Sequence, residues 1–514
     1  MINEAQIQDL DAQQLRQVVR TLIADVAGKD REIAFKQAFI DKLTHEMAVL
    51  KRLKFAARSE GYNAEQKSLL EETIDTDLAA LAAEIERVQP PPQGQDDKQK
   101  PKRQPLPANL PRREIHHEPD NTLCSCGCQL KRIGQDVAEK LDYEPGVFTV
   151  ERHIRGKWVC ANCETLIQAP VAAHVIDKGI PTAGLLAQVL VAKYADHLPL
   201  YRQESIFARA GLALPRSTLA QWVGQSGVQL QPLVDALRTE LLKHSVLHAD
   251  ETPVAMLKPG HGKTHRAYLW SYCTTTYNET RAVVFDFADS RAGQHARDFL
   301  GLPGEGGWHG SLVCDDFSGY KACFEMGVTE AGCLAHARRK FHELWVNHQS
   351  TIGEGALKFF IQLYEIEREV HELDAINRRR IRQERSRPVA DALHLWLTEQ
   401  RKKVPEGSAT IKAIDYSLGR WQALTRFIDD GELPADNNWV ENQIRPIALG
   451  RNNWLFAGSL RAGKRAAAIM SLVHSARLNG HDPYAYLRDV LDRLPTHPAS
   501  RIEELLPHRW KAGA

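Results

Sequence analysis

The chain has 514 residues and lacks several things. It contains no apolar run of the roughly 18 residues that a membrane-crossing helix needs, so no membrane partner is expected. Its opening stretch, MINEAQIQDLDAQQ, is polar and acidic and does not read as a secretory leader. It lacks an excess of either charge, with 66 Lys and Arg against 65 Asp and Glu. A globally basic nucleic-acid surface is thereby excluded, and any such surface must come from local clusters. Cysteine is scarce: there are nine, and five of them fall between Cys124 and Cys163. That distribution speaks for a metal site in a reducing compartment rather than a disulfide framework. A cytoplasmic, nucleoid-associated protein is the expectation.

What is present is ordinary in bulk and modular in order. Apolar content is 43% and charged content 25%, and the length implies three or four domains. Over residues 10–56, Leu15, Val19, Leu22, Val26, Ile33, Ile40, Leu43, Met47 and Leu50 recur at spacings of three and four. This heptad seam is interrupted by Lys29 and Lys36. It predicts a self-associating coiled coil, or else an amphipathic helix packed on its own chain. A second helix, 64–88, should fold back on it, giving an N-terminal helical region over 1–88. Residues 89–114 are rich in Pro, Gln and charge and have no period, which predicts a disordered linker.

A cysteine module follows over 115–175. Cys124, Cys126 and Cys128 lie in CSCGC, and Cys160 and Cys163 in CANC, with β-type sequence between. Two cysteine clusters joined by strands predict a zinc-ribbon-like structural zinc site using four of these five thiolates. A redox or merely buried cluster is the alternative. Over 176–244, LYRQESIFARAGLALPRSTLAQWVG reads as helix, turn at Gly211, helix, a helix-turn-helix-like pattern. Arg216, Ser217 and Thr218 would start a DNA-recognition helix, although two packed helices without DNA give the same pattern. A further helix is expected over Leu230–His244.

From 245 the pattern turns to strands: VLHADETPVAML, HRAYLWSYCT and RAVVFDFAD, then helix, strand (GSLVCDDFSGY) and a further strand-to-helix unit. That order predicts an RNase H-like domain over 245–480, with a charged helical insertion at about 344–430 and a helical tail over 481–514. Asp250 sits within the first strand and Asp315 at the end of a later one. Acids are depleted in strands and costly to bury, so their placement needs a reason. Phosphodiester chemistry supplies one, because two hard cations held by carboxylates can bind both nucleophile and leaving oxygen. Glu251, on the opposite face, reads as a bystander, and His248 and Thr252 as supports. The candidate third acid is Glu441. With Asn438 as N-cap it also fits a capping box, a purely structural use, and Pro446 should kink or end its helix. Around it Arg445, Arg451, Asn452, Asn453, Arg461, Lys464 and Arg465 form a phosphate-binding inventory. Trp454 and Phe456 offer faces for an unpaired base. Arg338, Arg339 and Lys340 are further phosphate candidates, and Cys333 and His336 have no assigned role.

HADETPV, CDDFSGY, CLAHARRKF and DNNWVENQIRPIALGRNNWLFAGS together resemble the signature blocks of the insertion-sequence-66 transposases, a DDE-type family. The heptad N-terminus, RLKFAARSE, the cysteine module and the 182–224 helices occur in the same order. The resemblance implies Asp250, Asp315 and Glu441 as the acid triad, with Asp316 in a variable place, and Mg²⁺ (or Mn²⁺) dependence. It implies binding of terminal inverted repeats, strand cleavage and joining to target DNA. A homo-oligomer and accessory proteins of the same element are the partners to expect. Trp439 and Val440 depart from the small residues usual there. A non-catalytic DNA-binding assembly protein and an RNase H-like nuclease are the competing readings.

Overall fold

A computed structural model describes residues 12–56, 64–88, 105–108, 110–144, 146–176, 179–257, 264–304 and 306–512. Most of the expected linker, 89–104, and residues 57–60 of RLKFAARSE lie outside these. Helix α1 (Ala12–Ala56) and helix α2 (Ala64–Val88) form an antiparallel arm. The heptad stripe divides in two. Leu43 is buried against the chain's own helices, whereas Leu15, Val19, Leu22, Val26 and Ile33 are exposed.

The cysteine module is a small sheet. Strands β2 (Leu130–Glu144) and β3 (Val147–Cys160) form a long antiparallel hairpin, and β4 (Leu166–Gln168) adds to β3. The chain reverses at Gly146, whose φ of 97° suits glycine. Strand β1 (Arg112–His117) runs parallel to β3, with Arg112 opposite Val150. Residues 112–114, expected as linker, are therefore strand. Their backbone partners come from β3, which local composition does not reveal.

Helices α3 (Ala183–Tyr194), α4 (Leu200–Arg209) and α5 (Arg216–Leu241) follow. Gly211, at φ 84°, makes the turn between α4 and α5. The helix expected at 230–244 is no separate element. It is the second half of α5, which runs on through Pro232. Helix α5 is buried along most of its length, including Leu219, Trp222, Val223, Leu230 and Leu237. Helix α2 crosses it at Gly224, where an added Cβ would collide with the Thr76 carbonyl.

A five-stranded sheet lies next to α5. Its strands are β5 (Val246–Leu257), β6 (Thr264–Thr274), β7 (Val283–Ala288), β8 (Ser311–Cys314) and β9 (Thr329–Gly332), ordered β7-β6-β5-β8-β9. β5, β6 and β7 pair antiparallel, whereas β5–β8 and β8–β9 pair parallel. Short helices α6 (Gln294–Leu300) and α7 (Lys321–Glu325) link the later strands. Helix α8 (Leu334–His348) then leads into α9 (Thr351–Val370), α10 (Ala375–Ile381), α11 (Arg387–Arg401), α12 (Ala409–Gly419) and α13 (Trp421–Asp429). These helices enclose a second core, in which Phe341, Phe360, Leu393, Leu424 and Phe427 join Val313 and Ala331 of the sheet. The chain returns through α14 (Asn438–Trp454), α15 (Leu460–Leu478) and α16 (Pro483–Arg493). Val440, Ile444 and Ile447 of α14 and Leu472 and Val473 of α15 join the main core with Leu247, Leu269 and Phe285. Among the described residues no helix is long and apolar enough to cross a membrane.

Candidate active site and metal centres

Strand β5 is central, so its residues are covered on both faces. The parallel register sets His248 opposite Val313. Carried two residues further on each strand, it brings Asp250 level with Asp315. Helix α14 crosses β5 and β6 and brings in Glu441. Among the described residues the three carboxylates do not form a group with all ligand atoms within 4.8 Å of one another, but their charges reach Asp250. Burial pushes its carboxyl well above the ordinary range, and the negative charges of Glu251, Asp315 and Glu441 push it the same way. Asp315 is half-buried and accepts from the Phe317 amide at 3.0 Å. Asp316 is exposed and turns to Arg420, Oδ1 to Nε 3.4 Å. Glu441 also faces Arg339 and His336, at 3.7 and 3.8 Å. Carboxylate oxygens are the donors that fit a hard divalent cation of the Mg²⁺ class.

Several local details differ from expectation. The N-cap of α14 is Asn437, not Asn438, and it makes no side-chain cap bond. Glu441 therefore stands one place too far along for a capping box. The Asn437 side chain instead braces β5, its Oδ1 accepting from His248 Nδ1 at 2.8 Å and its Nδ2 donating to the Ala249 carbonyl at 2.9 Å. His248 is wholly buried, and desolvation pulls its pKa down to about 4. The helix does not stop at Pro446; it continues to Trp454, held by the core residues on either side of the proline. Val440 is one of these, and Trp439 donates from Nε1 to the Thr274 carbonyl at 3.0 Å. The bulk of this pair serves to seat α14.

Glu251 is no bystander. It is buried, accepts from Arg291 Nε at 2.8 Å and from the Tyr320 hydroxyl at 2.7 Å, and adds to the field on Asp250. Strand alternation put it on the other face correctly, but that face is covered too. Cys333, which follows β9, is also buried, its thiol pushed up to about 12 by desolvation. With His336 and Glu441 it forms a group whose ligand atoms all lie within 4.8 Å of one another. The Cys-x-x-His spacing was the available signal, and Glu441 is the third member that local sequence could not supply.

The basic candidates separate into two sets. Arg338, Arg339, Lys340, Arg445, Asn452, Asn453 and Lys464 are exposed. Arg339 approaches Glu441 Oε2 at 3.7 Å, and Lys340 lies over the Tyr416 ring at 4.3 Å. Arg451 donates to the Pro253 carbonyl at 2.7 Å. The other set is engaged internally. Arg465 is buried and pairs with Asp77 at 2.8 Å, so it is not a free phosphate ligand. Arg216 pairs with Glu71 at 2.6 Å, and Ser217 and Thr218 are half-buried beside it. Arg461 pairs with Glu46 and Glu84. Phe456 is buried with Leu69, Leu70 and Ile74 and offers no open face, whereas Trp454 is half-buried. The physical reason is common to all of these: helix α2 lies over this part of the chain and brings its own acids.

In the cysteine module, Cys124, Cys126, Cys160 and Cys163 converge, with Cys124–Cys163 Sγ atoms 3.1 Å apart and Cys126–Cys160 3.6 Å. Four thiolates about 2.3 Å from a tetrahedral zinc would stand about 3.8 Å apart. The donor set and spacing therefore suit zinc. Gly127, at φ 85°, closes the tight turn that brings Cys124 and Cys126 together. Backbone N–H groups of Cys163 and Asn162 aim at Cys160 and lower its pKa, favouring the thiolate. Cys128 is the cysteine left out; its sulfur accepts from Asn162 Nδ2 at 3.4 Å.

A zinc-finger module, a helical arm and a mixed-sheet domain carrying clustered acids make up a modular transposase. The chain belongs to the Transposase IS66 family, whose profile matches residues 178–465. The IS66 C-terminal element matches 471–508, the zinc-finger binding domain of transposase IS66 matches 121–164, and Transposase C of IS166 homeodomain matches 42–115. Similar proteins occur in Sinorhizobium fredii (strain NBRC 101917 / NGR234). Uncharacterized protein y4qI is 37% identical over 92% of this chain and 90% of its own length. Uncharacterized protein y4hP is 35% identical over 80% and 78%, and uncharacterized protein y4jD 36% over 79% and 82%. The family implies DNA as partner and a divalent metal in the reaction.

Proposed function

We propose that the chain is a DDE transposase that cleaves DNA at the ends of an insertion sequence and transfers the strands to a target. The carrying observation is the field on Asp250, to which Asp315 and Glu441 both contribute across an interval of almost 200 residues. The strand order β7-β6-β5-β8-β9 supports an RNase H-like architecture interrupted by the helices α9–α13. In this reading Asp250 from within β5, Asp315 from just after β8 and Glu441 from α14 would hold the hard cations. When bound, such cations neutralise phosphate charge and align nucleophile and leaving oxygen. Asn437 and His248 keep β5 and the start of α14 in fixed relation. Arg291 and Tyr320 hold Glu251 away from the ligand set. Exposed Arg338, Arg339, Lys340, Arg445 and Lys464 line the approach for DNA phosphates. A structural zinc in the Cys124, Cys126, Cys160, Cys163 cluster shapes the module that reads the terminal repeats, and self-association runs through the bare half of α1.

The test is Asp250→Asn on terminal-repeat DNA with Mg²⁺ or Mn²⁺. DNA binding should persist while cleavage falls by at least about 10³-fold; cleavage at the wild-type rate sinks the assignment.

A further inference from the structure

We propose that Cys333, His336 and Glu441 form a binding site for a borderline-soft divalent cation of the zinc class, separate from the four-cysteine cluster and sharing only Glu441 with the hard-cation site. Cys333 is the residue between β9 and α8, and His336 lies one turn on along the same face of α8. Glu441 enters from α14, with Oε1 at 3.8 Å from His336 Nε2. The ligand atoms lie within 4.8 Å of one another, so small side-chain rotations suffice to close them on one ion. Two polar atoms here, His336 Nδ1 and Glu441 Oε1, are buried with no hydrogen-bond partner. Buried polar atoms are nearly always paired, and two orphans among three converging ligands point to an absent bonding partner. The Cys333 sulfur is buried and accepts from the Asn437 amide at 3.2 Å, a contact that steadies a thiolate. One sulfur, one imidazole nitrogen and one carboxylate oxygen select a zinc-class ion over Mg²⁺ or Ca²⁺.

The consequence for catalysis rests on the reading of Glu441 as the third acid. An ion held through Oε1 leaves Oε2 for the hard-cation site and fixes the carboxylate between the two. Cys333 and His336 are then positioning residues, and α8, which leads into the insertion, is clamped to α14 beside Glu441.

The experiment is metal stoichiometry on the full chain after zinc reconstitution, with Co²⁺ substitution as a spectroscopic check. Wild type should carry two equivalents, and Cys333→Ala and His336→Gln one each, with helical content unchanged. A thiolate-to-Co²⁺ band should vanish in Cys333→Ala while the four-cysteine spectrum stays. His336 is only half-buried, so its variant remains informative if Cys333→Ala fails to fold. One equivalent in wild type, or two retained in His336→Gln, overturns the site. Asp250→Asn keeps the two hypotheses apart: it should lose cleavage and keep both equivalents. Cleavage surviving in that variant refutes the catalytic reading, while the metal count still judges this site alone.

Discussion

The cysteine cluster and the carboxylate cluster collect anionic ligands by opposite routes. The cysteines come from two turns of one small module, and Cys124 and Cys160 are themselves part of its modest core with Leu130. The carboxylates come from a strand, a strand end and a distant helix, held by a large hydrophobic core. In the first case a bound zinc would supply folding energy. In the second the fold pre-arranges charge against its own stability, because Asp250 is pushed upward by burial and by its neighbours.

The comparison yields measurable contrasts. The largest is in the Asp250→Asn variant itself, where activity and stability should move in opposite directions. A raised folded-state pKa means the carboxyl is favourable when protonated and loses that contribution as pH rises through the folded value. At neutral pH without metal the variant should therefore be about 1 kcal/mol more stable than wild type by urea midpoint, and Mg²⁺ should stabilise only wild type. A variant that melts earlier would break the contrast.

Acid should act next, and on the carboxylate domain. His248 and His474 are buried with pKa values pulled to about 4 by desolvation. Unfolded, they titrate near 6.5 and bind the extra protons between about 6.5 and 4. Stability should thus fall as pH drops through that window, by up to about 3 kcal/mol for each histidine. A flat urea midpoint between pH 7 and 5 would contradict this.

Cys160→Ser tests the other cluster. Zinc content should drop by one equivalent, and hydrogen-exchange protection should collapse in the β2–β3 hairpin while β5 and β6 stay protected. Equal loss in both regions would mean the module does not depend on its metal. The smallest effect concerns DNA. Arg338→Ala should weaken binding and lower the salt slope by about one, whereas Arg216→Ala should leave the slope unchanged, because Glu71 already neutralises it.

Much of this was legible in the sequence, for identifiable reasons. Asp250 and Asp315 stood out because acids in strand contexts are expensive, and the two cysteine clusters stood out by spacing, with the odd cysteine among Cys124, Cys126 and Cys128 left open. The pattern of strands and helices from 246 to 348 could be read from periodicity alone. What could not be read depended on partners far along the chain. Arg465 is matched by Asp77 and Arg216 by Glu71, so residues that look like phosphate ligands are internal ties. Glu251 was misjudged because alternation says which face a residue takes, not whether that face is wet. Asn438 read as the N-cap, but that position falls to Asn437, whose side chain is the brace between α14 and β5.

The arm of α1 and α2 is fastened to the catalytic body. Glu72 meets Lys193, Asp77 meets Arg465, and Arg461 grips Glu46 and Glu84, one from each helix of the arm. The exposed stripe from Leu15 to Ile33 is thus the free end of a boom whose foot is bolted down, reaching about 30 Å along its axis at 1.5 Å per residue. In the function proposed above, two copies joined along that stripe would hold their acid clusters at a set spacing, and the boom's length would act as a ruler for the distance between two bound DNA ends.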